Sequence, residues 1–525
     1  MLFRTILLFL SLLCHHFAFA NNELCIGVAG PMSGKGKNFG QEMLEGILLY
    51  VDQINQSNGI SEKKIKLIIK DDKNDPKIAL SVAKQFASAP DILLVLGHYF
   101  STTSIMAGKV YQRYQIPAIT GSASAVKLTQ RNNWYFRIIP NNAFQATYIA
   151  NYINSYLKID RAIIIHDTDE YGIDLLNYFK RAAQSSGIDI IQEFGINTLS
   201  NHINVQIKKI CMEICKIDHP GCVFIATHAH EAIKLMQFYQ DKRSYPFLGS
   251  DSFGTYSFIK KLPKNNKEVH FVIPYLSDVS DRTALPFIKA YQKKYNKPPN
   301  WVSASYYDAI KLAHCAIIRA NISEEELIKR KRKKIQNSLN QFYNLKTGLK
   351  GVTGTLFFNS TGDTEKPLNM GININQKIKP SFVQYNLIPP DRINYSTLKK
   401  TLTGEMILIN DQVMQKTMVV FTRIDILELI DFDIKNRIFK IKFNLSFTYQ
   451  EDIDTDNIQF LNAISTDFIG KPIITKNIDS STTKQFQVEG TFRSNVNLKA
   501  YPFETNSLNI SFFINIFQGI FFIFF

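Results

Sequence analysis

The sequence lacks the short motifs that mark common catalytic sites. It contains no G-x-S-x-G nucleophile elbow, no H-E-x-x-H zinc helix and no P-loop. His166 and Asp167, at the end of a predicted strand, are suited to acid–base work, but no nucleophile lies near them in the sequence. These absences argue against an enzyme, and the sequence predicts no catalytic residue, no metal site and no cofactor.

The chain also lacks an internal apolar run of the roughly 20 residues that a membrane-spanning helix needs. The short apolar run Ile6–Leu13 follows Arg4 and precedes a small-x-small cleavage pattern at residues 18–20. Residues 1–20 are therefore predicted to be a secretory signal peptide. The mature chain then begins near Asn21, and we expect it in the periplasm or outside the cell.

Cysteine is scarce, with six residues in a chain of 525. Cys14 leaves with the signal peptide, and the odd number that remains leaves at least one thiol unpaired within a monomer. The stretch CMEICKIDHPGC holds Cys211, Cys215, His219 and Cys222. Their spacing is not a standard zinc pattern and export permits disulfides, so a local disulfide involving Cys222 is favoured, with its partner left open.

Acidic residues are outnumbered, with 45 Asp and Glu against 61 Lys and Arg, a formal charge of +16. The basic residues are spread along the chain except for one dense run at 329–334, directly after the acidic residues 324–326. We interpret this stretch as a solvated helix with an acidic first turn and a basic last turn. No nucleic-acid partner is predicted.

From Leu24 onward, short apolar strands alternate with longer amphipathic segments. LCIGVAG is a predicted strand, and the segment that follows places Met43, Ile47 and Val51 at helical spacing. KKIKLIIKDD, ILLVLG and IPAIT repeat the strand pattern, which resumes after Asn141 with RAIIIHD, DIIQEFG and CVFIAT. This alternation predicts an α/β protein with parallel sheets in two similar lobes.

The hydrophobic pattern changes near Pro389 and Pro390. Beyond them, apolar residues seldom recur at the spacing of a helix. Short alternating runs such as NRIFKIKFNLSFTYQ and KQFQVEGTFRSN predict an antiparallel all-β domain over residues 402–515. Residues 388–401 are the expected linker, and residues 516–525 an apolar tail.

Ligands of parallel α/β sheets bind outside the carboxyl ends of the strands, so the residues directly after each strand are the candidate site. These loops supply hydroxyls, N–H groups at helix N-termini, one acid, Asp251, and aromatic walls. An anion holder, an acid for an ammonium group and apolar walls predict an amino-acid site. The alternative is that Ser101 and Ser124 only cap helices.

Several stretches carry a family resemblance, among them IGVAGPMSGKGKNFG, LGHYFSTTS, IPAITGSASAVKLTQ, IIHDTDEYG and FLGSDSFG. In order and spacing they resemble the leucine/isoleucine/valine-binding branch of the type I periplasmic binding proteins, over residues 24–387. The resemblance implies two Rossmann-like lobes joined by a three-stranded hinge that close on a ligand. With the chain crossovers, lobe 1 is expected at 24–143 and 275–355, and lobe 2 at 144–274 and 356–387.

The resemblance also implies roles for individual residues. Ser101 matches the serine that binds the ligand carboxylate, and Ala123 and Ser124 match the loop whose main chain and hydroxyl contact the carboxylate and ammonium. Asp251 matches the acid that pairs with the ammonium, while His228 stands where the family often has tyrosine, which leaves side-chain specificity open. The full predicted ligand-binding set is Phe39, Tyr99, Ser101, Thr102, Ala123, Ser124, Tyr171, His228 and Asp251.

The C-terminal part resembles a second family. FRSNVNLKAYPFETNSLNISF, with its aromatic-Pro-Phe-acid turn, is similar to a segment of pentameric ligand-gated ion channel ectodomains, and the strands before it follow that family's order. Tyr449 stands where that family usually has tryptophan. The resemblance implies a partial β-sandwich cut short before the channel helices, and the alternative is an accessory β-domain with an apolar last strand.

These observations predict an extracytoplasmic binding protein or receptor domain that captures an amino acid of the branched-chain type, or a similar small amide. Expected partners are the ligand and either an ABC permease or channel subunits, and a form carrying channel helices would be membrane-associated. The alternative is an amide hydrolase on the same fold. A nucleophile with a base in hydrogen-bond reach inside the cleft would favour that alternative.

Overall fold

The computed structural model describes residues 23–525 except 199, 239–244, 264–268, 410, 451–457, 468–470, 479, 495–507, 509, 515–519 and 525. The predicted signal peptide and the predicted turn at residues 501–504 lie outside the described residues. Among the described residues, no helix combines the length and the apolar character needed to cross a membrane.

The first lobe is built on a five-stranded parallel sheet in the order β2-β1-β3-β4-β5. Helix α1 buries Met43, Ile47 and Val51 against it, and the Asp75 side chain caps α2 by accepting from two backbone N–H groups. The strands are β1 (Glu23–Gly30), β2 (Lys64–Asp71), β3 (Leu94–Gly97), β4 (Ala118–Thr120) and β5 (Tyr135–Arg137). The helices are α1 (Lys37–Gln56), α2 (Pro76–Ser88), α3 (Ser101–Tyr114) and α4 (Lys127–Gln130).

The second lobe has a seven-stranded sheet in the order β14-β13-β10-β9-β8-β6-β7. The strands β6 to β10 are parallel, and apart from the edge strand β7 their near-continuous apolar burial reflects helices on both faces. The strands are β6 (Arg161–Asp167), β7 (Asp189–Ile196), β8 (Cys222–Ala226), β9 (Phe247–Gly249) and β10 (Val269–Ile273). The helices are α5 (Asn142–Tyr152), α6 (Glu170–Ser185), α7 (Ile203–Ile214), α8 (Ala229–Phe238) and α9 (Tyr256–Ile259).

After β10 the chain returns to the first lobe, where α11 packs along α1. Gly46 permits this approach, because a Cβ at that position would overlap the carbonyl oxygen of Ser303. The chain then forms a hairpin and adds two antiparallel strands to the second sheet. The elements are α10 (Leu285–Tyr295), α11 (Trp301–Ala320), α12 (Ile328–Leu339), β11 (Leu349–Gly351), β12 (Gly354–Leu356), β13 (Asn369–Ile374) and β14 (Lys377–Pro380).

The basic run at 329–334 is placed differently from the expectation. It occupies the first half of α12, and the acidic residues precede the helix. Arg332 is buried, and its guanidinium donates to the carbonyl oxygens of Ile92 and Ala89 at 2.8 and 3.2 Å. The prediction of a wholly solvated stretch is therefore wrong at Arg332, which ties α12 to the end of α2.

A buried ion pair lies where the chain crosses between the lobes. The Arg137 guanidinium, fully buried at the end of β5, donates to Asp363 Oδ1 at 2.6 and 3.0 Å. The backbones of the two crossovers also pair, since the N–H of Arg137 donates to the carbonyl of Gly362 at 2.9 Å. The ion pair and the backbone hydrogen bond therefore connect the first crossover, near Arg137, to the third, near Asp363.

The C-terminal part is a mostly antiparallel β-domain, as the alternating pattern predicted. Along β18, intermediate and buried residues alternate without interruption, which is typical of a sheet with one covered face. The elements are β15 (Val383–Leu387), α13 (Tyr395–Lys399), β16 (Met406–Ile409), β17 (Gln412–Asp433), β18 (Ile438–Tyr449), β19 (Ile458–Phe460), β20 (Ala463–Asp467), β21 (Ile474–Ile478), β22 (Ser481–Arg493), β23 (Phe512–Ile514) and β24 (Ile520–Phe524).

Two boundaries differ from the expectation. Strand β15, expected within the second lobe, pairs its backbone with β17, although its Tyr385 side chain packs among second-lobe residues. Strand β24, expected in an apolar tail, pairs in parallel with residues 418–422 of β17. In both places the long β17 offers backbone hydrogen-bonding groups that a neighbouring extended segment satisfies.

The β-domain is packed against the second lobe through α5. The rings of Tyr148 and Tyr385 meet edge to face with centroids 5.7 Å apart, and the N–H of Tyr385 donates to the Tyr148 hydroxyl at 3.3 Å. Ile407, Ile409 and Met414 are buried in the same core cluster as Tyr148. The second lobe and the start of the β-domain therefore share one core.

The predicted local disulfide is not formed. Among the described cysteines no disulfide is present, and Cys222 lies in β8 with its Sγ 3.7 Å from the carbonyl oxygen of Arg161. Burial raises the pKa of the Cys222 thiol to about 12. Cys211 is likewise buried on α7, with its Sγ 3.9 Å from the carbonyl of Leu235. Both thiols serve as small apolar core groups.

Candidate functional site

A narrow cavity lies between the two lobes, at the carboxyl ends of both parallel sheets. The residues that line it are Phe39, Tyr99, Phe100, Ser101, Ser122 and Trp301 from the first lobe, and Tyr171, His228, Ala229, Asp251 and Ser252 from the second. Of the predicted set, Phe39, Tyr99, Ser101, Tyr171, His228 and Asp251 are among them. Thr102, Ala123 and Ser124 are not part of the lining.

The first-lobe end of the cavity is rich in hydroxyl groups. Ser101 is the first residue of α3, and its Oγ accepts a hydrogen bond from the N–H of Ala125 at 3.1 Å. Thr102 Oγ1 and Ser124 Oγ are buried and have no hydrogen-bond partner in the described part of the chain. Unpaired buried hydroxyls are uncommon in proteins, so these two mark a position where an external partner is expected.

The loop behind the cavity is held by Arg137. Its Nη1 donates to the carbonyl oxygens of Ala125 and Ala123 at 2.6 and 3.3 Å, and the N–H of Ala123 donates to Thr120 Oγ1 at 3.1 Å. Both backbone polar groups of Ala123 thus have partners inside the protein. Its contact with a ligand stays a prediction.

The second-lobe end of the cavity carries a buried carboxylate, Asp251. Its Oδ2 accepts from Gln145 Nε2 at 2.7 Å and its Oδ1 from the Tyr171 hydroxyl at 2.9 Å, and that hydroxyl also bonds Ser250 Oγ. Burial raises the pKa of Asp251 to about 6, opposed by the hydrogen bonds from Gln145 and Tyr171. No lysine or arginine of the described residues forms an ion pair with it. At neutral pH Asp251 is therefore mostly ionised, and His228 is the cationic lining residue whose charge acts on it.

Aromatic rings form the walls. Tyr171 and His228 stack with centroids 4.9 Å apart, and Phe100 meets the His228 ring edge to face at 5.1 Å. Phe39 stacks on Tyr99 at 5.1 Å. These contacts fix the side chains on both sides of the gap and leave apolar ring surface facing a ligand.

His228 is paired with Asp169, the N-cap residue of α6. Its Nε2 lies 2.9 Å from Asp169 Oδ2. Burial alone would lower the pKa of His228, but Asp169, with smaller contributions from Asp167 and Glu231, raises that pKa to about 9. Asp167, Asp169 and His228 bring ligand-type atoms within 4.8 Å of one another. Because His228 holds its proton at neutral pH, the arrangement is better suited to an ion pair than to a metal ion.

The pairing predicts a pH-dependent stability. The folded pKa of His228 lies above the ordinary value of about 6.5, so its contribution is complete below that pH and is lost as pH rises through about 9. We expect the melting temperature to fall between pH 7.5 and 10 more steeply in the native protein than in Asp169→Asn. Asparagine keeps the helix cap that Asp169 makes to the N–H of Gly172, so only the charge is removed. Equal slopes in a melting series across this range would contradict the pairing.

Several residues of the site were not predicted. Four of them lie next to predicted residues in the loops that follow the strands: Phe100, Ser122, Ala229 and Ser252. Treating every residue of these loops as a candidate would have identified them. Trp301 is one of two tryptophans and follows the helix cap Asn300, which is a weak signal. Gln145, which holds Asp251, lies within an apolar helix and has no sequence signal.

Comparison with known proteins identifies relatives of the two lobes. The model of a family described as periplasmic binding protein matches residues 23–369. A Pseudomonas aeruginosa protein named "Amino acid binding protein" is 31% identical over 189 residues, which cover 36% of this chain and 50% of that protein. "Leu/Ile/Val-binding protein homolog 1" of Brucella abortus is 25% identical over 350 residues, covering 66% of this chain and 88% of that protein.

A solved structure confirms the predicted fold of the lobes. The branched-chain amino acid transporter substrate-binding protein of Streptococcus pneumoniae, in complex with isoleucine, superposes with a TM-score of 0.61 and 22% identity. The match covers 68% of this chain and 98% of that one.

Proposed function

Because the chain belongs to the periplasmic binding protein family, we propose that it captures an amino acid of the branched-chain type, or a similar small amide, by closure of its lobes. The relatives named above are amino-acid-binding proteins, which supports this ligand class. The proposed activity is ligand binding and not catalysis.

The observation that carries the proposal is the arrangement of opposite poles across the cavity. Asp251 offers a carboxylate that no described lysine or arginine pairs with on one lobe, and Ser101 lines the cavity on the other. The unpaired hydroxyls belong to residues beside it, since Thr102 follows Ser101 and Ser124 precedes Ala125, whose N–H bonds the Ser101 hydroxyl. An amino acid carries an ammonium group and a carboxylate on one carbon, so a single molecule satisfies both ends. Each pole also belongs to a different lobe, so the ligand stabilises the closed form.

The serines of the cavity do not support the hydrolase alternative. Ser122 Oγ bonds the Tyr99 carbonyl and the Tyr306 hydroxyl at 2.8 and 2.9 Å, and Ser252 Oγ donates to the Thr227 carbonyl at 2.9 Å. His228 is engaged with Asp169. No pair of nucleophile and base within hydrogen-bond distance is found among the described lining residues.

The family places the protein outside the cytoplasm, and the output of binding is a further part of the proposal. Delivery to an ABC permease and signalling to channel subunits are both compatible with a closing pair of lobes. A delivery protein has no need of the β-domain after residue 402, so its presence favours sensing. We also propose that residues 402–515 are related to the ectodomains of pentameric ligand-gated ion channels.

The domain bounds are also proposed. Lobe 1 comprises residues 24–143 and 275–355, which agrees with the packing of α11 on α1. Lobe 2 comprises residues 144–274 and 356–387, of which β13 and β14 lie in the second sheet, whereas β15 pairs with β17 of the β-domain. Because α5 packs in a core that the second lobe shares with the β-domain, we expect these two parts to move together as one rigid body when the lobes close.

A thermal-shift screen of the mature chain tests the proposed function. The probes are the twenty amino acids, urea and short amides, because a ligand that binds only the folded state raises the melting temperature. We expect a shift that grows with ligand concentration for at least one amino acid. A flat response to all of these probes would contradict the proposal.

Ser124→Ala separates ligand binding from folding. The Ser124 hydroxyl makes no hydrogen bond in the described structure, so its removal should leave the unfolding free energy within about 0.5 kcal/mol. Amino-acid affinity should fall by about 1–2 kcal/mol, measured by calorimetry, because the ligand loses a donor.

Ser101→Ala is the matched comparison, since it also removes a bond to the N–H of Ala125. It should lower both stability and affinity. Unchanged affinity in Ser124→Ala would remove this hydroxyl from the site.

A further inference from the structure

Trp301 brings an indole from the first lobe into the cavity. It is the first residue of α11, fixed by the capping box of Asn300 and Ser303. Gly254 of the second lobe faces its ring, because a Cβ at Gly254 would lie 3.2 Å from Trp301 Cδ1 and 2.8 Å from Ile273. The glycine therefore provides the space that lets the indole approach the opposite lobe.

The indole N–H has no acceptor. Trp301 is only 2% exposed, and its Nε1 is buried without a hydrogen-bond partner in the described part of the chain. A buried tryptophan usually finds a partner for this group, and leaving a donor unpaired is costly. Because the residue lines the cavity, a bound molecule is the natural source of the missing acceptor.

The surroundings favour a neutral acceptor. Glu42 lies one turn along α1 from Phe39, and its Oε2 is a second buried atom without a partner in the described residues. Burial raises the pKa of Glu42 to about 7, so its carboxyl is only partly ionised at neutral pH, and with Asp251 it acts on the Tyr99 wall of the cavity. A negatively charged ligand group here would be repelled, whereas a carboxamide offers an oxygen acceptor and an N–H donor.

We propose that the Trp301 indole N–H donates to a neutral oxygen at the end of the ligand side chain, so that the site selects a carboxamide amino acid, asparagine or glutamine. This inference rests on the proposed function and narrows its ligand class. Trp301 acts as a specificity-determining residue, and the apolar walls hold the side-chain methylene groups. Leucine has the shape of asparagine without the acceptor, and it leaves the indole N–H unpaired.

Calorimetric titration of the mature chain with L-asparagine, L-glutamine and L-leucine tests the inference. The native protein should bind a carboxamide amino acid at least about 10-fold more tightly than leucine. Trp301→Phe keeps a ring of similar shape and removes the donor, so carboxamide affinity should fall about 10-fold while leucine affinity changes little. Trp134→Phe, at a buried first-lobe position that does not line the cavity, is the matched control and should change neither.

The outcomes separate the two proposals. If leucine binds the native protein as tightly as the carboxamide amino acids, the inference is overturned and the proposed function stands; this arm needs no variant. If Trp301→Phe weakens both kinds of ligand equally, the indole only packs the cleft, and the inference is likewise wrong. If the folded native protein binds neither an amino acid nor urea or a short amide, the proposed function itself fails.

Discussion

Replacing Asp251 with asparagine should weaken amino-acid binding by about 30-fold to several thousandfold, which is about 2–5 kcal/mol. The change keeps the size of the side chain and removes its charge. In the native cavity the Asp251 carboxylate accepts from Gln145 and Tyr171 and forms no ion pair with a lysine or arginine of the described residues. A ligand ammonium group supplies that cation, and a desolvated cation left unpaired is costly.

Asp189→Asn is the matched control, because Asp189 is an exposed carboxylate at the start of β7 in the same lobe. It should bind like the native protein. Calorimetry on both variants decides the role of Asp251. An Asp251→Asn protein that binds an amino acid at native affinity would refute the ammonium pairing, and a neutral amide or urea-like ligand would become the better candidate.

Replacing Arg137 with methionine should destabilise the fold by about 3–5 kcal/mol. The guanidinium is fully buried, and its loss leaves Asp363 without the cation that bonds its Oδ1 at 2.6 Å. The same change frees the carbonyl of Ala125, so the loop that carries Ser124 loses its support. Folding and ligand binding should therefore decline together.

Urea unfolding followed by circular dichroism measures the effect of Arg137→Met. The control is Arg113→Met at an exposed position on α3, which should stay within about 0.5 kcal/mol of the native protein. A double change, Arg137→Met with Asp363→Leu, should recover only part of the lost stability. It removes the unpaired buried charge, but the Ala125 carbonyl, the Thr129 hydroxyl and the Asn141 amide lose their partners. A single Arg137 variant as stable as the control would show that the ion pair contributes nothing.

The sequence predicts the two α/β lobes well, because their signals are local. Strand and helix periodicities alternate from Leu24, and the carboxyl-end rule leads directly to the loops with Ser101, Tyr171, His228 and Asp251. The side chains that sequence misses come from helices. Gln145 and Trp301 share the apolar pattern of core helix positions, and only the folded arrangement shows that Gln145 bonds Asp251 and that Trp301 lines the cavity.

The pairing partners of the β-domain were harder to predict. Alternation along β18 reveals a strand and its covered face, but it carries no information about which strand lies beside it. The pairings of β15 and β24 with β17 join segments far apart in sequence. Likewise, the burial of Arg332 depends on carbonyl groups at the end of α2, which charge patterning cannot reveal.

We propose that one amino acid is held between the lobes by Asp251 on one side and hydroxyl groups on the other. Isothermal titration of the mature chain, with its β-domain, against each amino acid at pH 7.5 and pH 5 is the decisive measurement. We predict one ligand per chain at pH 7.5, and weaker binding at pH 5, because the raised pKa of Asp251, about 6, leaves the carboxyl mostly protonated there. A folded protein that binds no amino acid, or one whose affinity is the same at both pH values, would contradict the account.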